Sequence, residues 1–246
     1  MRKKCQRLLA LILTAAVLLG AAPNPGEEGE REETGAQTLD LNKNLSREED
    51  KSLLPQNSYT DVENMAYWQK LLAGVKHSGN WREDLVHIAM TQIGYTESRL
   101  NVRRDDEGES HGYTRYGGWY GVPHAEWCAM FISFCLYFAR IPEEAVPHEA
   151  SCVRWEDALI RQGLFNDKRD YVPQRGDLIF LGSRGVPWHV GIVTELDEET
   201  GEVRYIHGNT ENHDVAYGSI PRNSGVIVGY GVLPDNPDAG VTVSGS

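Results

Sequence analysis

A thiol, an imidazole and a polar group that steadies the imidazole are enough to attack an acyl carbon. This sequence carries all three in segments that could bring them together. Cys128 stands in EWCAMFISFC, residues 126–135, just after a loop rich in Gly and Tyr and at the head of an apolar run. A thiol at a helix start faces unsatisfied backbone N–H groups, which favour thiolate and stabilise a developing oxyanion. His189 stands in WHVGIV, where strand alternation puts His189, Gly191 and Val193 on one face and Val190 and Ile192 on the other. Small and polar positions beside the imidazole leave room for a substrate. The next segment, IHGNT, offers His207 and Asn209 two positions apart on one face, and either would hold the second imidazole nitrogen. The chain order is nucleophile, base, orienter.

The elements that must position these groups follow from periodicity. REDLVHIAMTQIGYTES places Leu85, Ile88, Ala89 and Ile93 at helical spacing before Gly94 ends the pattern. GYTRYGGWYGVPHAE reads as a loop, and WCAMFISFCLYFAR, apolar on every side, reads as a buried helix ending before Pro142. SCVRWEDALIRQGLF gives a third helix with Trp155 and Leu159 on one side and Gly163 near its end. Then the character changes. YVPQRGDLIFL, WHVGIVTEL, EVRYIHGNT and VIVGYGVL are short β-branched or aromatic runs separated by Pro, Gly and acidic turn residues, which predict antiparallel strands. Helices first and a sheet second make an α+β domain, N-terminal helices packed on a C-terminal antiparallel sheet, over residues 81–236.

Ahead of that domain, Arg2, Lys3, Lys4 and Arg7 precede an apolar run over residues 8–19 and then Gly20, Ala21 and Ala22, the layout of a secretory signal peptide spanning 1–22. The run is shorter than the ~20 residues a membrane-spanning helix needs, so no stable membrane anchor is expected after cleavage. Residues 23–60 have the acidic, Gly- and Asn-rich composition of a disordered linker, residues 61–80 predict a short docked helix bearing Val62, Met65, Leu72 and Val75, and 237–246 read as a flexible tail. Removing the leader takes away four basic side chains and no acidic one, moving the formal net charge from -12 to -16. Such a chain repels nucleic acid, and no nucleic-acid motif is present. Of the four cysteines, Cys128, Cys135 and Cys152 survive processing, and an odd count argues against a disulfide framework.

WCAMFISFC, PQRGDLIFL, WHVGIV and IHGNT together resemble the cysteine, histidine-dependent amidohydrolase/peptidase (CHAP) domains of bacterial cell-wall hydrolases. The resemblance extends from about Asp84 to Pro234 and takes in IGYTES and YGGWYG. It implies a papain-like fold, Cys128 as nucleophile, His189 as general base, and a third residue on the following strand. Family members often carry Glu two residues before Asn there; here His207 stands at the Glu position and Asn209 matches the Asn. The expected activity is hydrolysis of an amide bond in peptidoglycan, by a stem-peptide endopeptidase or an N-acetylmuramoyl-L-alanine amidase, in a secreted or wall-associated bacterial monomer without cofactor. The rival expectations are a wall- or peptide-binding module of the same fold impaired by the changed third residue, and an acyl transferase.

Other candidates are weaker. Trp119, Tyr120, Trp127 and Trp188 flank the motifs, and two readings stand for them: they line a substrate groove for peptide or sugar, or they bury themselves in the core. DDEGES, residues 105–110, lacks the alternating acidic ligands of a calcium loop and reads as a solvated acidic turn. His111, His124, His148 and His213 have no metal-ligand spacing, so no metal is expected.

Overall fold

A computed structural model describes residues 70, 72–167 and 171–237. The expected leader over 1–22, the linker over 23–60, most of the helix over 61–80 and the tail after 237 lie outside the described residues. The end of that helix is visible: residues 70, 72 and 73 are helical, and Leu72 and Val75 are buried in the core.

Helix α1, Trp81–Met90, starts where the Asn80 side chain accepts from the backbone N–H groups of Arg82 and Glu83. It buries Leu85, Ile88 and Ala89, as its spacing predicts, whereas Ile93 falls in the turn beyond it. A small hairpin follows, β1 Val102–Arg104 with β2 Ser110–Gly112. Its tip is the acidic DDEGES segment. There Asp105 Oδ1 accepts from Glu107 and Glu109 N–H, and Asp105 Oδ2 lies 3.1 Å from His111 Nε2. The carboxylate closes the turn itself.

Helix α2, Arg115–Tyr120, stands where the sequence predicts only a loop. Its two glycines make local propensity poor. The turn forms because Thr114 caps Gly117 N–H, Gly121 ends the helix at φ 98°, and Tyr116 is wholly buried against Trp127 with ring centroids 5.2 Å apart. Helix α3, Cys128–Phe138, is buried at every position from Cys128 to Leu136, as an all-apolar sequence requires. Helix α4, Cys152–Gln162, is capped by Ser151 and ended by Gly163 at φ 72°.

The remaining strands are β3 Phe165–Asp167, β4 Leu178–Ser183, β5 Val186–Asp197, β6 Glu202–His207, β7 Ala216–Pro221 and β8 Ile227–Gly231. They form one antiparallel sheet in the order β3-β8-β4-β5-β6-β7. One face carries Leu178, Phe180, Val190, Ile192 and Ile206 into the main core shared with the helices. The other carries Ile179, Leu181, Val193, Val203, Tyr205, Ile227 and Tyr230 into a second cluster. Burial on both faces is why LIFL in β4 is continuously apolar. The architecture is α+β, helices first and sheet second, as expected from the order of patterns.

One buried carboxylate ties the first helix to the sheet. Asp177, wholly buried just ahead of β4, accepts from Arg82 Nη1 at 2.7 Å, Tyr171 Oη at 2.6 Å, Gln174 N at 2.7 Å and Leu233 N at 3.2 Å. With every lone pair engaged and a guanidinium beside it, the charge is held without loss to the fold.

Candidate active site

A cavity of about 370 Å³ opens where the start of α3 meets the ends of β5 and β6. Cys128, His189, His207, Asn209 and Trp188 all line it, together with Glu126, Leu181, Tyr205, Thr210, Glu211 and His213. The fold thus gathers residues from four separate stretches of the chain around one space.

Cys128 is the first residue of α3 and only 3% exposed. Trp127 at the N-cap makes no capping hydrogen bond with its side chain, so the first-turn N–H groups are left to other acceptors. The Trp127 ring is instead turned into the core, where its Nε1 donates to Glu97 Oε2 at 3.3 Å. The approach of β6 to this turn depends on Gly208: a Cβ there would lie 2.5 Å from the Trp127 ring and 2.9 Å from Phe131. Glycine between His207 and Asn209 lets the strand end rest on the helix start.

His189 sits on β5 opposite Leu181 of β4, on the face that also carries Val193 and, across the strand pair, Tyr205. The period of two brings His207 of β6 to the same face. His189 Nε2 and His207 Nδ1 are 2.7 Å apart, with the rings nearly perpendicular at 89°. Burial pushes the His189 imidazole down to about 3, and the neighbouring His207 ring adds to that fall. Burial likewise lowers His207 to about 4, opposed by the Asp214 carboxylate. Both rings are therefore neutral at pH 7, and a bond between two neutral imidazoles needs one N–H donor and one bare nitrogen. When His189 Nε2–H donates, its Nδ1 is left bare, the form a general base requires.

The cavity supplies room beside His189, and Tyr205 takes up the space directly over Gly191. A Cβ on Gly191 would lie 2.7 Å from Tyr205 Cδ2, so the glycine accommodates that ring, which in turn lies 5.0 Å from His207 by centroid. Tyr205 braces the second imidazole and itself forms part of the cavity wall.

Of the two candidates for the third position, the structure joins His207 to His189 and directs Asn209 elsewhere. Asn209, at φ 57°, donates from Nδ2 to Glu126 Oε2 at 2.5 Å. That bond links the residue two places before Cys128 with the residue two places after His207. Glu126 was invisible to sequence reasoning as a site residue, although it opens the EWC triplet. Glu97 was missed too; besides Trp127 it holds His213 Nδ1 at 3.3 Å from its Oε1.

The substrate-groove assignment needs correction for three of the four aromatics, which take the packing alternative. Trp188 lines the cavity, its ring 5.9 Å by centroid from His189. Trp127 is 1% exposed and stacked on Tyr116, so it offers nothing to a ligand. Trp119 and Tyr120 are absent from the cavity lining: Trp119 packs on Phe134 and Tyr137 of α3, and Tyr120 Oη donates to His148 O. Apolar aromatics next to a site motif mostly served the helix that carries it.

Among the described residues no group of three or more His, Cys, Asp or Glu side chains is arranged to hold a metal, and no helix is long and apolar enough to cross a membrane. His124 Nδ1 and His148 Nε2 meet backbone carbonyls, those of His111 and Ile141.

No protein-family model matches the chain, and no curated protein does. A solved structure described as "The crystal structure of Ly7917" aligns at 13% identity over 62% of this chain and 62% of that one, with a TM-score of 0.38. The chain therefore spans less than two thirds of that protein's length.

Proposed function

We propose that this chain is an exported cysteine hydrolase of peptidoglycan with the papain-like CHAP fold that its motifs resemble. The observation that carries the proposal is the 2.7 Å contact between His189 Nε2 and His207 Nδ1 in a cavity that Cys128 also lines. A hydrogen-bonded pair of imidazoles lining the same cavity as a helix-start thiol has no packing purpose that two apolar residues would not serve better.

In this reading, His189 Nδ1 takes the Cys128 proton as the sulfur attacks an amide carbonyl carbon. The oxyanion meets the first-turn N–H groups of α3. The C–N bond breaks, the amine leaves with the proton from His189, and water resolves the thioacyl-enzyme with His189 again as base. His207 holds His189 in the Nε2–H tautomer throughout, and Asn209 acts on the loop ahead of Cys128 through Glu126. The partner is the stem-peptide or glycan–peptide amide of the bacterial wall, and the enzyme works as a secreted or wall-associated monomer.

Purified wall incubated with the wild type and with Cys128→Ala tests this. Loss of released fragments in the variant, with wall binding retained, is the expected result, and mass spectrometry of the muropeptides identifies the bond. Equal release by both proteins removes the nucleophile assignment. A second reading, a binding module impaired in turnover, draws support from the low proton affinity of His189, which burial and the neighbouring His207 ring depress. Wall binding without release by either protein selects that reading, and products carrying an added amine select acyl transfer.

A further inference from the structure

The sulfur of Cys152 lies 3.8 Å from that of Cys128. Nothing in the hydrolytic scheme uses it. Cys152 is the first residue of α4 as Cys128 is the first of α3, so two helix starts converge on one pair of thiols. The start of α3 lacks a side-chain cap, and the positive end of each helix dipole favours negative charge on sulfur. The convergence is fixed from outside the pair: Ser133 Oγ on α3 donates to Glu149 O at 2.8 Å, pinning the approach to α4, and Ser151 caps α4 directly before Cys152.

Access differs between the two. Cys128 lines the cavity, whereas Cys152 is 1% exposed and is not among the lining residues. A small oxidant entering the cavity meets Cys128 first and finds Cys152 behind it. Cys135 is set apart, deep in α3, where burial pushes its thiol well above the ordinary range.

We propose that Cys128 and Cys152 are a redox pair in which peroxide converts the two thiols to a reversible disulfide, with Cys152 as the resolving thiol. Its effect on activity rests on Cys128 being the nucleophile proposed above. In the first step the Cys128 thiolate attacks one peroxide oxygen, the O–O bond breaks, and the departing hydroxide takes the proton that the thiol gave up, leaving sulfenic acid and water. In the second, Cys152 sulfur attacks the sulfenic sulfur, the S–O bond breaks, and the oxygen leaves as water with the thiol proton. Two thiols and one hydrogen peroxide give one disulfide and two waters, two electrons passing from sulfur to peroxide. A disulfide needs its sulfurs about 2.05 Å apart, so closure requires the two sulfurs, now 3.8 Å apart, to approach by under ~2 Å. The cross-link removes the nucleophile and, unlike further oxidation to sulfinic acid, a thiol reductant reverses it.

The test treats the full-length chain with a slight molar excess of hydrogen peroxide, followed by non-reducing peptide mapping and wall-hydrolysis assays before and after dithiothreitol. The expected results are a peptide joining Cys128 to Cys152, at least a tenfold fall in fragment release, and recovery on reduction. Cys152→Ser, checked for folding by circular dichroism, should give no cross-link and a peroxide inactivation that dithiothreitol no longer reverses. A wild type that accumulates sulfinic acid at Cys128 without the joined peptide overturns the proposal, as does a Cys152→Ser variant whose activity recovers as fully as the wild type's. If the joined peptide forms while the reduced protein releases nothing from wall, the redox pair stands and the hydrolase reading fails.

Discussion

Replacing His207 separates orientation from charge support at His189. The ring contributes one short hydrogen bond to a base that is itself 9% exposed. In His207→Ala the Nε2–H of His189 loses its acceptor, so the tautomer with Nδ1 protonated, useless as a base, gains population. Losing the tautomer preference and the support for the forming imidazolium should cost about 3–5 kcal/mol at the transition state, or ~10² to 10⁴ in rate. His207→Glu keeps an acceptor and adds a negative charge. The His189 proton affinity, now depressed to about 3 by burial and by the neighbouring ring, should rise, and a thiolate–imidazolium pair should persist at lower pH. The assay is kcat/KM on a muropeptide together with the pH dependence of iodoacetamide inactivation, with circular dichroism to confirm folding. The expected order of turnover is His207→Glu at or above wild type and His207→Ala far below, with the reactive limb of the alkylation profile moved to lower pH only in the Glu variant. Asn209→Ala is the control. Its amide is engaged by Glu126 and not by His189, so the loss should stay well below that of His207→Ala. A silent His207→Ala beside a crippled Asn209→Ala would refute the assignment of His207 as orienter.

Four further outcomes follow from the geometry. Iodoacetamide should label Cys128, which lines the cavity, well before Cys135, whose burial disfavours thiolate, as followed by peptide mapping of the native protein; equal labelling would contradict the site. Trp188→Ala should raise KM more than it lowers kcat in steady-state assays, because its ring lines the cavity without meeting the hydrogen-bonded imidazole nitrogens. Arg82→Ala strips the counter-charge from Asp177, which is 0% exposed, and should lower unfolding free energy in urea by about 3–5 kcal/mol. Both site imidazoles bind protons less readily folded than unfolded, so their contribution to stability is complete above about pH 6.5 and is lost as the pH falls toward 4 and 3. The slope should approach ~1.4 kcal/mol per pH unit for each ring, and urea midpoints at pH 7 and 5 should converge in the double variant His189→Gln, His207→Gln.

How far the sequence foretold the structure depended on where the determining contacts lie. Helices α1, α3 and α4 and strands β4, β5, β6 and β8 were legible because their burial pattern is written in their own residues: Leu85, Ile88 and Ala89 at helical spacing, an unbroken apolar run in α3, and Ile179, Phe180 and Leu181 between two cores. Helix α2 was not, since the glycines of RYGGWY argue against a helix and only Tyr116 packing on Trp127 overrides them. Strand β7, AYGSIP, escaped because its residues alternate between intermediate and exposed, and its place is set by pairing with β6. At the site, Cys128, His189 and His207 announced themselves by residue type and local position. Glu126 did not: its partner Asn209 is 83 residues away and reaches it only after β6 has been laid against α3.

That late contact also accounts for how the site is held. The thiol belongs to a helix and the imidazoles to a sheet, and neither local structure says anything about the other. Gly208 lets the end of β6 lie on the Trp127 and Phe131 rings, and Asn209 then closes onto Glu126 from the far side. Two consecutive residues thus fix the separation of sheet and helix at the point where Cys128 begins α3. Gly208→Ala should therefore disturb catalysis as well as stability: its methyl would have to displace an aromatic ring within 2.5 Å, moving His207 away from the helix start that carries Cys128. Comparison of Gly208→Ala with Asn209→Ala in urea and in muropeptide turnover resolves the two contributions. The glycine variant should be the worse in both, and an Asn209→Ala variant that loses more activity than Gly208→Ala would show that the Glu126 tie, not the close approach, sets the position of the nucleophile.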